Sequence, residues 1–239
     1  MLIHIGVAKT NKWAKSESGD TVEVVERRLG GISGILVDGQ GSGEAAKRIS
    51  SLVVARAIAL IAEGARDGAV VRAAHDALYA SRGGKVSADL AMLSVDLNSG
   101  TLVVTKNGRC LLMVRHDGCT QQVGEEAPAL GIYAGTRPWI REYSLMEGSM
   151  AVAMSDGVVE AGQRYGQRWA GDEMLSHLAS TEPRDASELA HRLLETAVGK
   201  DKGRPLDDMA VMVVGVGPGE PDVEVRGIEV VFPARRGRG

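Results

Sequence analysis

Four places in the sequence set an aspartate beside a glycine or a second aspartate: Gly19-Asp20, Asp38-Gly39-Gln40-Gly41-Ser42-Gly43, Ser155-Asp156-Gly157 and Asp207-Asp208-Met209. Carboxylates are hard oxygen donors, and several held close together take divalent cations such as Mg²⁺ or Mn²⁺. A bound cation lowers the pKa of water, and two cations about 3.5–4 Å apart can share that nucleophile while neutralising a phosphate. Together the four places suggest phosphoester hydrolysis. Singly each has a plainer explanation: an Asp-Gly after a strand is a turn, Asp207-Asp208 a solvated acidic turn, Asp20 a strand-start cap. The glycines after Asp38 lack both the dinucleotide-binding spacing and the Gly-Lys-Ser/Thr ending of a phosphate loop. They fit a sharp strand-to-helix connection. Gly39 and Gly157 are expected to leave room for metal, water and substrate, and Gly39 to offer its carbonyl to a metal.

Rigid elements must deliver these acids, and strand ends do so. The apolar run 32–37 ends at Asp38, and a helical pattern opens at Glu44. Ala45, Ile49, Leu52, Val53, Leu60 and Ile61 share one face of that helix, which Gly64 ends. Val70, Val71, Ala74, Ala77 and Leu78 mark a second helix, stopped by Gly83-Gly84. Strands are expected at 2–8, 21–28, 87–97, 101–106 and 110–115, with Asn107-Gly108 as a hairpin turn between the last two. Segments 139–146 and 149–155 are expected to pair with each other, the second ending at Asp156. Helices over 172–179 and 186–197 take Asp172 and Asp185 as caps. A strand over 209–216 begins just after Asp207-Asp208. An extra edge strand over 223–232 and a disordered tail at 235–239 complete the reading. Runs such as Leu111-Leu112-Met113-Val114 are apolar on both faces and belong in a covered sheet. The order predicts an α+β fold, a four-layer αββα sandwich of two antiparallel β-sheets flanked by helix pairs.

Bulk properties set the class. The chain has 239 residues, 44% hydrophobic and 25% charged, which suits a globular protein with a sizeable core. A net charge of −3 and an aromatic content of 3% argue against nucleic acid as a partner and against anionic membranes. The most apolar segment, 52–62, contains Arg56 and is too short to span a bilayer. Cys110 and Cys119 have no metal-ligand spacing and read as free thiols in a reducing cytosol. His75 is a candidate proton carrier by residue type alone but reads as a helix-surface histidine, and no histidine has metal spacing. Lys9, Lys12 and Lys15 form a basic loop that could meet a phosphate. Trp13, Trp139 and Trp169 read as packing or interface residues, and Arg235-Arg236-Gly237-Arg238 as a solvated end.

The four motifs, in this order, resemble those of the metal-dependent type 2C protein phosphatases, and within them the bacterial stage II sporulation protein E branch. The resemblance covers about 18–216 and includes the hairpin at 98–112, Leu130-Gly131-Ile132 and Val158-Val159-Glu160. It departs at Ala210, where many members have Thr or Ser, at Asn107-Gly108-Arg109, where an asparagine-alanine-glycine-histidine turn is usual, and at Thr21, often aromatic. The resemblance implies a type 2C phosphatase-like fold over 1–239, with a C-terminal extension at 217–239. It also implies a phosphoserine/phosphothreonine protein phosphatase holding two or more Mn²⁺ or Mg²⁺ ions. Asp38 would bridge two ions, with the Gly39 carbonyl on one of them. Asp20, Asp156 and Asp207 would complete the metal set, with Asp208 beside them, and Asp38 and Asp156 would be the catalytic pair. Metal-activated water would attack phosphorus with no phosphoenzyme. Stand-alone members of the branch resemble the stressosome feedback phosphatase. The implied substrate is thus a phosphorylated regulatory protein, an anti-sigma-factor antagonist or stressosome scaffold, in the cytoplasm. The rivals are a catalytically silent binding module of the same fold and a hydrolase of another phosphoester.

Overall fold

In the strand Gly31–Gly39 (β3), Ile35 and Val37 point to one side and Leu36 to the other, and all three are fully buried. A strand buried on both faces needs a layer above it and a layer below. The computed structural model, which describes residues 1–219, 226–227 and 229–231, supplies both. The remaining strands are β1 (Leu2–Thr10), β2 (Asp20–Glu26), β4 (Ala88–Asp96), β5 (Thr101–Asn107), β6 (Leu111–His116), β7 (Cys119–Val123), β8 (Trp139–Ser144), β9 (Met150–Met154) and β10 (Met209–Gly217). The helices are α1 (Glu44–Glu63), α2 (Asp67–Arg82), the single turn α3 (Asp156–Val159), α4 (Gly171–Ala179) and α5 (Ala186–Lys200). One antiparallel sheet has the order β1-β10-β9-β6-β7, the other β2-β3-β4-β5-β8.

Three apolar layers follow from period-two alternation. Leu36, Ala91 and Leu93 meet Ala153, Met212 and Val214 between the sheets. Ile35, Val37, Leu90 and Met92 face α1 and α2, through Val53, Ala57, Val70 and Ala74. Val152, Val211 and Val213 face α4 and α5, through Leu178, Leu189 and Leu193. The αββα sandwich expected from the element order is therefore the observed fold. Gly64 and Gly83 end α1 and α2 in left-handed conformation, as their positions predicted.

Two expected pairings are corrected, for one reason. Asn107-Gly108 is not a hairpin: β5 pairs with β4 and β8, while β6 pairs with β7 and β9. A two-residue hairpin turn of the Asn-Gly type needs positive φ at both residues. Here Gly108 has φ 78°, but Asn107 ends its strand fully buried and donates to Pro128 O and Thr136 Oγ1, both at 2.8 Å. The chain crosses between sheets at this point. It crosses again between β8 and β9, so 139–146 and 149–155 do not pair: β8 joins β5 and β9 joins β10 and β6. Local turn signals cannot show which sheet the next strand enters. Asp172 lies in the first turn of α4 behind an Ala170 cap, while Asp185 does precede α5. Half of the expected edge strand over 223–232 lies outside the described residues, and the residues described there, 226–227 and 229–231, are not in a strand. The tail 235–239 lies outside them entirely.

Gly108 also leaves no room for a side chain, since a Cβ there would come within 1.9 Å of Asp89 Oδ1. Gly108→Ala combines that overlap with an unfavourable φ and should cost about 1–3 kcal/mol in urea unfolding. A midpoint equal to wild type would show that the crossover tolerates a side chain.

Candidate metal centre

Strand register builds the site. Asp20 of β2 lies opposite Asp38 of β3, and Asp38 lies opposite Asp89 of β4. Residues directly opposite in antiparallel strands project from the same face. The parity of Val22, Leu36 and Ala91 puts this row of three carboxylates on the inter-sheet side, one step beyond the apolar core. The other sheet supplies Asp156, immediately after β9, and Asp207-Asp208, immediately before β10. The motifs on β2, β3, β9 and β10 thus converge at one end of the sandwich.

Carboxylate oxygens of Asp38, Asp89 and Asp156 all lie within 4.8 Å of one another. At that distance two ionised carboxylates repel by about 3 kcal/mol at an effective dielectric near 20. Asp20 is fully buried, and neither of its oxygens has a hydrogen-bond partner among the described residues. Burial pushes the Asp20 carboxyl up to about 7; Asp208 and Asp156 add to the rise, while the Ser155 hydroxyl and the Lys9 ammonium oppose it. Burial, then the charges of Asp20 and Asp156, push Asp38 up to about 10. Burial also raises Asp89 and Asp207. Deep burial of Asp20 beside a tight group of carboxylates makes this place suited to a cation, and oxygen-only donors suit Mg²⁺ or Mn²⁺. The residues present fit a divalent metal.

Some expected members have other duties here. Asp208 accepts Lys12 N–H at 2.9 Å and Gly19 N–H at 2.8 Å, so it ties the loop after β1 to the start of β2. Asp207 is about half exposed and lies 3.9 Å from Lys12 Nζ. The expectation that Gly39 and Gly157 leave space for metal and substrate is corrected. A Cβ on Gly39 would stand 2.1 Å from Ala46 O, and one on Gly157 2.1 Å from Asp208 O. These glycines let neighbouring backbones close on the acids. Lys9 and Lys47 both point at the Asp20 backbone carbonyl, at 3.0 and 3.4 Å.

Sequence reasoning missed Asp89 and Arg109. A lone acid at the start of the buried run 88–95 was the available signal for Asp89. Arg109 Nε donates to Asp89 Oδ2 at 3.3 Å, and its Nη2 pairs with Asp156 Oδ2. Both residues line a cavity of about 1100 Å³, together with Asp38, Asp156, Asp207, Lys12 and the 126–129 loop. His75 is not a surface residue. It is buried, its Nδ1 accepts Gly131 N–H and its Nε2 bonds Tyr133 O, both at 3.1 Å, so it holds the cavity-lining loop to α2.

The family model described as stage II sporulation protein E matches residues 30–217. A curated relative, stage II sporulation protein E of Priestia megaterium, is 21% identical over 214 residues; the match covers 89% of this chain and 36% of that protein. This chain therefore spans about a third of that relative's length. The solved PP2C phosphatase domain of the Bacillus subtilis cell-fate determinant SpoIIE superposes with a TM-score of 0.77 at 21% identity, over 92% of this chain and 64% of that one. The catalytic domain of the serine/threonine phosphatase PstP in complex with two manganese ions gives 0.69 at 20%, over 90% and 99%. A structure described under the bacterial stressosome gives 0.68 at 23%, over 90% and 100%. These structures share the fold seen here.

The raised carboxyls make a signed prediction for the metal-free protein. Folded pKa values above the unfolded value near 4 mean that the folded state binds more protons. Stability is then fullest in acid and falls as pH rises towards about 7 and about 10. In EDTA the melting temperature should drop by roughly 5–10 °C between pH 5 and pH 9. Asp38→Asn should flatten that slope, and Mg²⁺ or Mn²⁺ should raise the melting temperature far more at pH 8 than at pH 5. An equal slope in wild type and Asp38→Asn would count against a strained acid cluster.

Proposed function

We propose, for a chain that belongs to the stage II sporulation protein E family, a metal-dependent removal of phosphate from phosphoserine or phosphothreonine on a protein. The observation that carries this reading is the in-register row Asp20–Asp38–Asp89, faced by Asp156 and Asp207 from the other sheet. Two Mn²⁺ or Mg²⁺ ions bound here would make water nucleophilic near neutral pH and neutralise charge on the phosphate.

Each residue has a task in that reading. Asp38, with a carboxylate on either side of it, suits a bridging role, and the Gly39 carbonyl offers a further oxygen. Asp20, Asp156 and Asp207 would complete the ligand set, with Asp89 at its margin. Asp208 holds Gly19 and Lys12 in place, which keeps Asp20 in register with Asp38. The chemistry needs no side-chain nucleophile. Cys110 is buried, and burial holds its thiol well above the usual range, so it stays protonated. Cys119 is exposed at the start of β7, an edge strand. His75 has both ring nitrogens engaged and is not placed as a proton carrier.

The partner is read as a phosphorylated regulatory protein in cytoplasmic stress or sigma-factor signalling, of the anti-sigma-factor-antagonist or stressosome-scaffold type. The likeness to the stressosome-associated structure supports that reading. So does the breadth of the cavity, which is open to a loop presented by a folded partner. No described helix is long and apolar enough to cross a membrane. Residues 1–239 are taken as one phosphatase domain with a core at 18–216 and an extension at 217–239.

Mn²⁺-dependent phosphate release from a phosphoserine protein, compared with p-nitrophenyl phosphate, tests the reading. Release should be abolished by EDTA and restored by metal. Turnover confined to the small ester would favour a different phosphoester hydrolase, and phosphoprotein binding without release a silent module. Asp38→Asn should lower turnover roughly a hundredfold or more at limiting metal, with the fold retained. A Cys110→Ala, Cys119→Ser protein should keep most of its activity, and ¹⁸O from water should appear in phosphate with no phosphoenzyme trapped. A thiol-dependent rate would overturn attack by water.

A further inference from the structure

We propose that Arg109 is the phosphate-recognising residue of this site and that Asp89 positions its guanidinium for that task; the inference rests on the phosphatase reading. The crossover between the two sheets delivers Arg109 to the acids. Gly108 allows the Asp89 carboxylate to pack against the backbone there, where a Cβ would overlap it. Nε of Arg109 donates to Asp89 and Nη2 reaches Asp156. The two acid side chains are only 9% and 10% exposed, yet the arginine side chain is 69% exposed and lines the cavity. An arginine that only neutralised the acids would be buried with them.

A guanidinium carries five N–H donors in a planar fork that matches the oxygens of carboxylate and phosphate. Nε of Arg109 stays on Asp89. Nη2 holds Asp156, an acid proposed as a metal ligand. Once Asp156 turns to a cation, Nη2 is left facing the same space, where a phosphate oxygen is an equivalent acceptor. The lysines are placed less well. Lys9 and Lys47 are turned to the backbone of Asp20. Lys106 lines the cavity too but is buried in β5, whereas Lys12 reaches the cavity near Asp207 and is the stronger competitor.

Titration calorimetry of inorganic phosphate into the Mg²⁺-loaded protein decides between them, with Mg²⁺ affinity measured on each variant. Arg109→Ala should bind phosphate roughly tenfold to a hundredfold more weakly, the range of a charge-assisted hydrogen bond. Arg109→Lys should retain part of the affinity, and Lys12→Ala should change it less than Arg109→Ala does. Mg²⁺ affinity of Arg109→Ala should equal or exceed that of wild type, since a competing cation is gone. Unchanged phosphate affinity in Arg109→Ala, no phosphate binding by wild type, or joint loss of phosphate and Mg²⁺ would overturn the assignment. Phosphate affinity needs no turnover. A protein that binds phosphate through Arg109 but hydrolyses no phosphoprotein would refute the proposed function and leave this assignment standing.

Discussion

Three carboxylates set side by side across three adjacent strands are a conflict that the fold has to hold. Like charges directly opposite one another destabilise a sheet, and here Asp20 and Asp89 are also buried, with Asp38 between them half-buried at the cavity. The position of the row explains how it persists. It begins where the inter-sheet apolar packing of Val22, Leu36 and Ala91 stops, so the strands that carry it are fixed by burial before the acids meet. Burial first, and the neighbouring carboxylates after it, raise the pKa values of Asp20 and Asp38. A divalent cation removes the conflict, and binding energy then becomes part of the stability of the folded chain.

Much of the surrounding structure closes on that row. Gly39 lets the end of β3 lie against the first turns of α1, and Gly157 lets the turn after β9 lie against Asp208. Asp208 accepts one backbone N–H from the loop after neighbouring β1 and one from Gly19 at the start of β2 in the opposite sheet. The glycine-aspartate spacing is thus mainly a packing device: backbone needs the space, and the carboxylates gain fixed positions from it. His75 extends the same rigidity to the loop over the cavity by bonding two of its backbone groups from α2.

The passage of the chain from one sheet to the other after β5 shapes one side of the site. Because β5 hands the chain to the other sheet at Gly108, Arg109 emerges between Asp89 and Asp156 and belongs to neither sheet. A hairpin at that point would have continued one sheet and left the acids without this cation.

The sequence by itself determined the elements, the four motif positions and the layered class. Period-two and period-3.6 apolar patterns and glycine stops are local, so most elements were readable from their own residues; β7, whose Cys119–Val123 is largely polar, and the single turn α3 were not. The acids of the four motifs were legible because each sits where an apolar run begins or ends. Tertiary structure alone decided that Asn107-Gly108 is a crossover and not a turn, since that depends on the buried amide of Asn107 finding Pro128 and Thr136, twenty and more residues away. It alone decided the register that aligns Asp20, Asp38 and Asp89, because register is a relation between strands distant in sequence. Asp89 and Arg109 were invisible for the same reason: an isolated acid in an apolar run and an arginine after a glycine acquire meaning only when the fold sets Arg109 between Asp89 and Asp156.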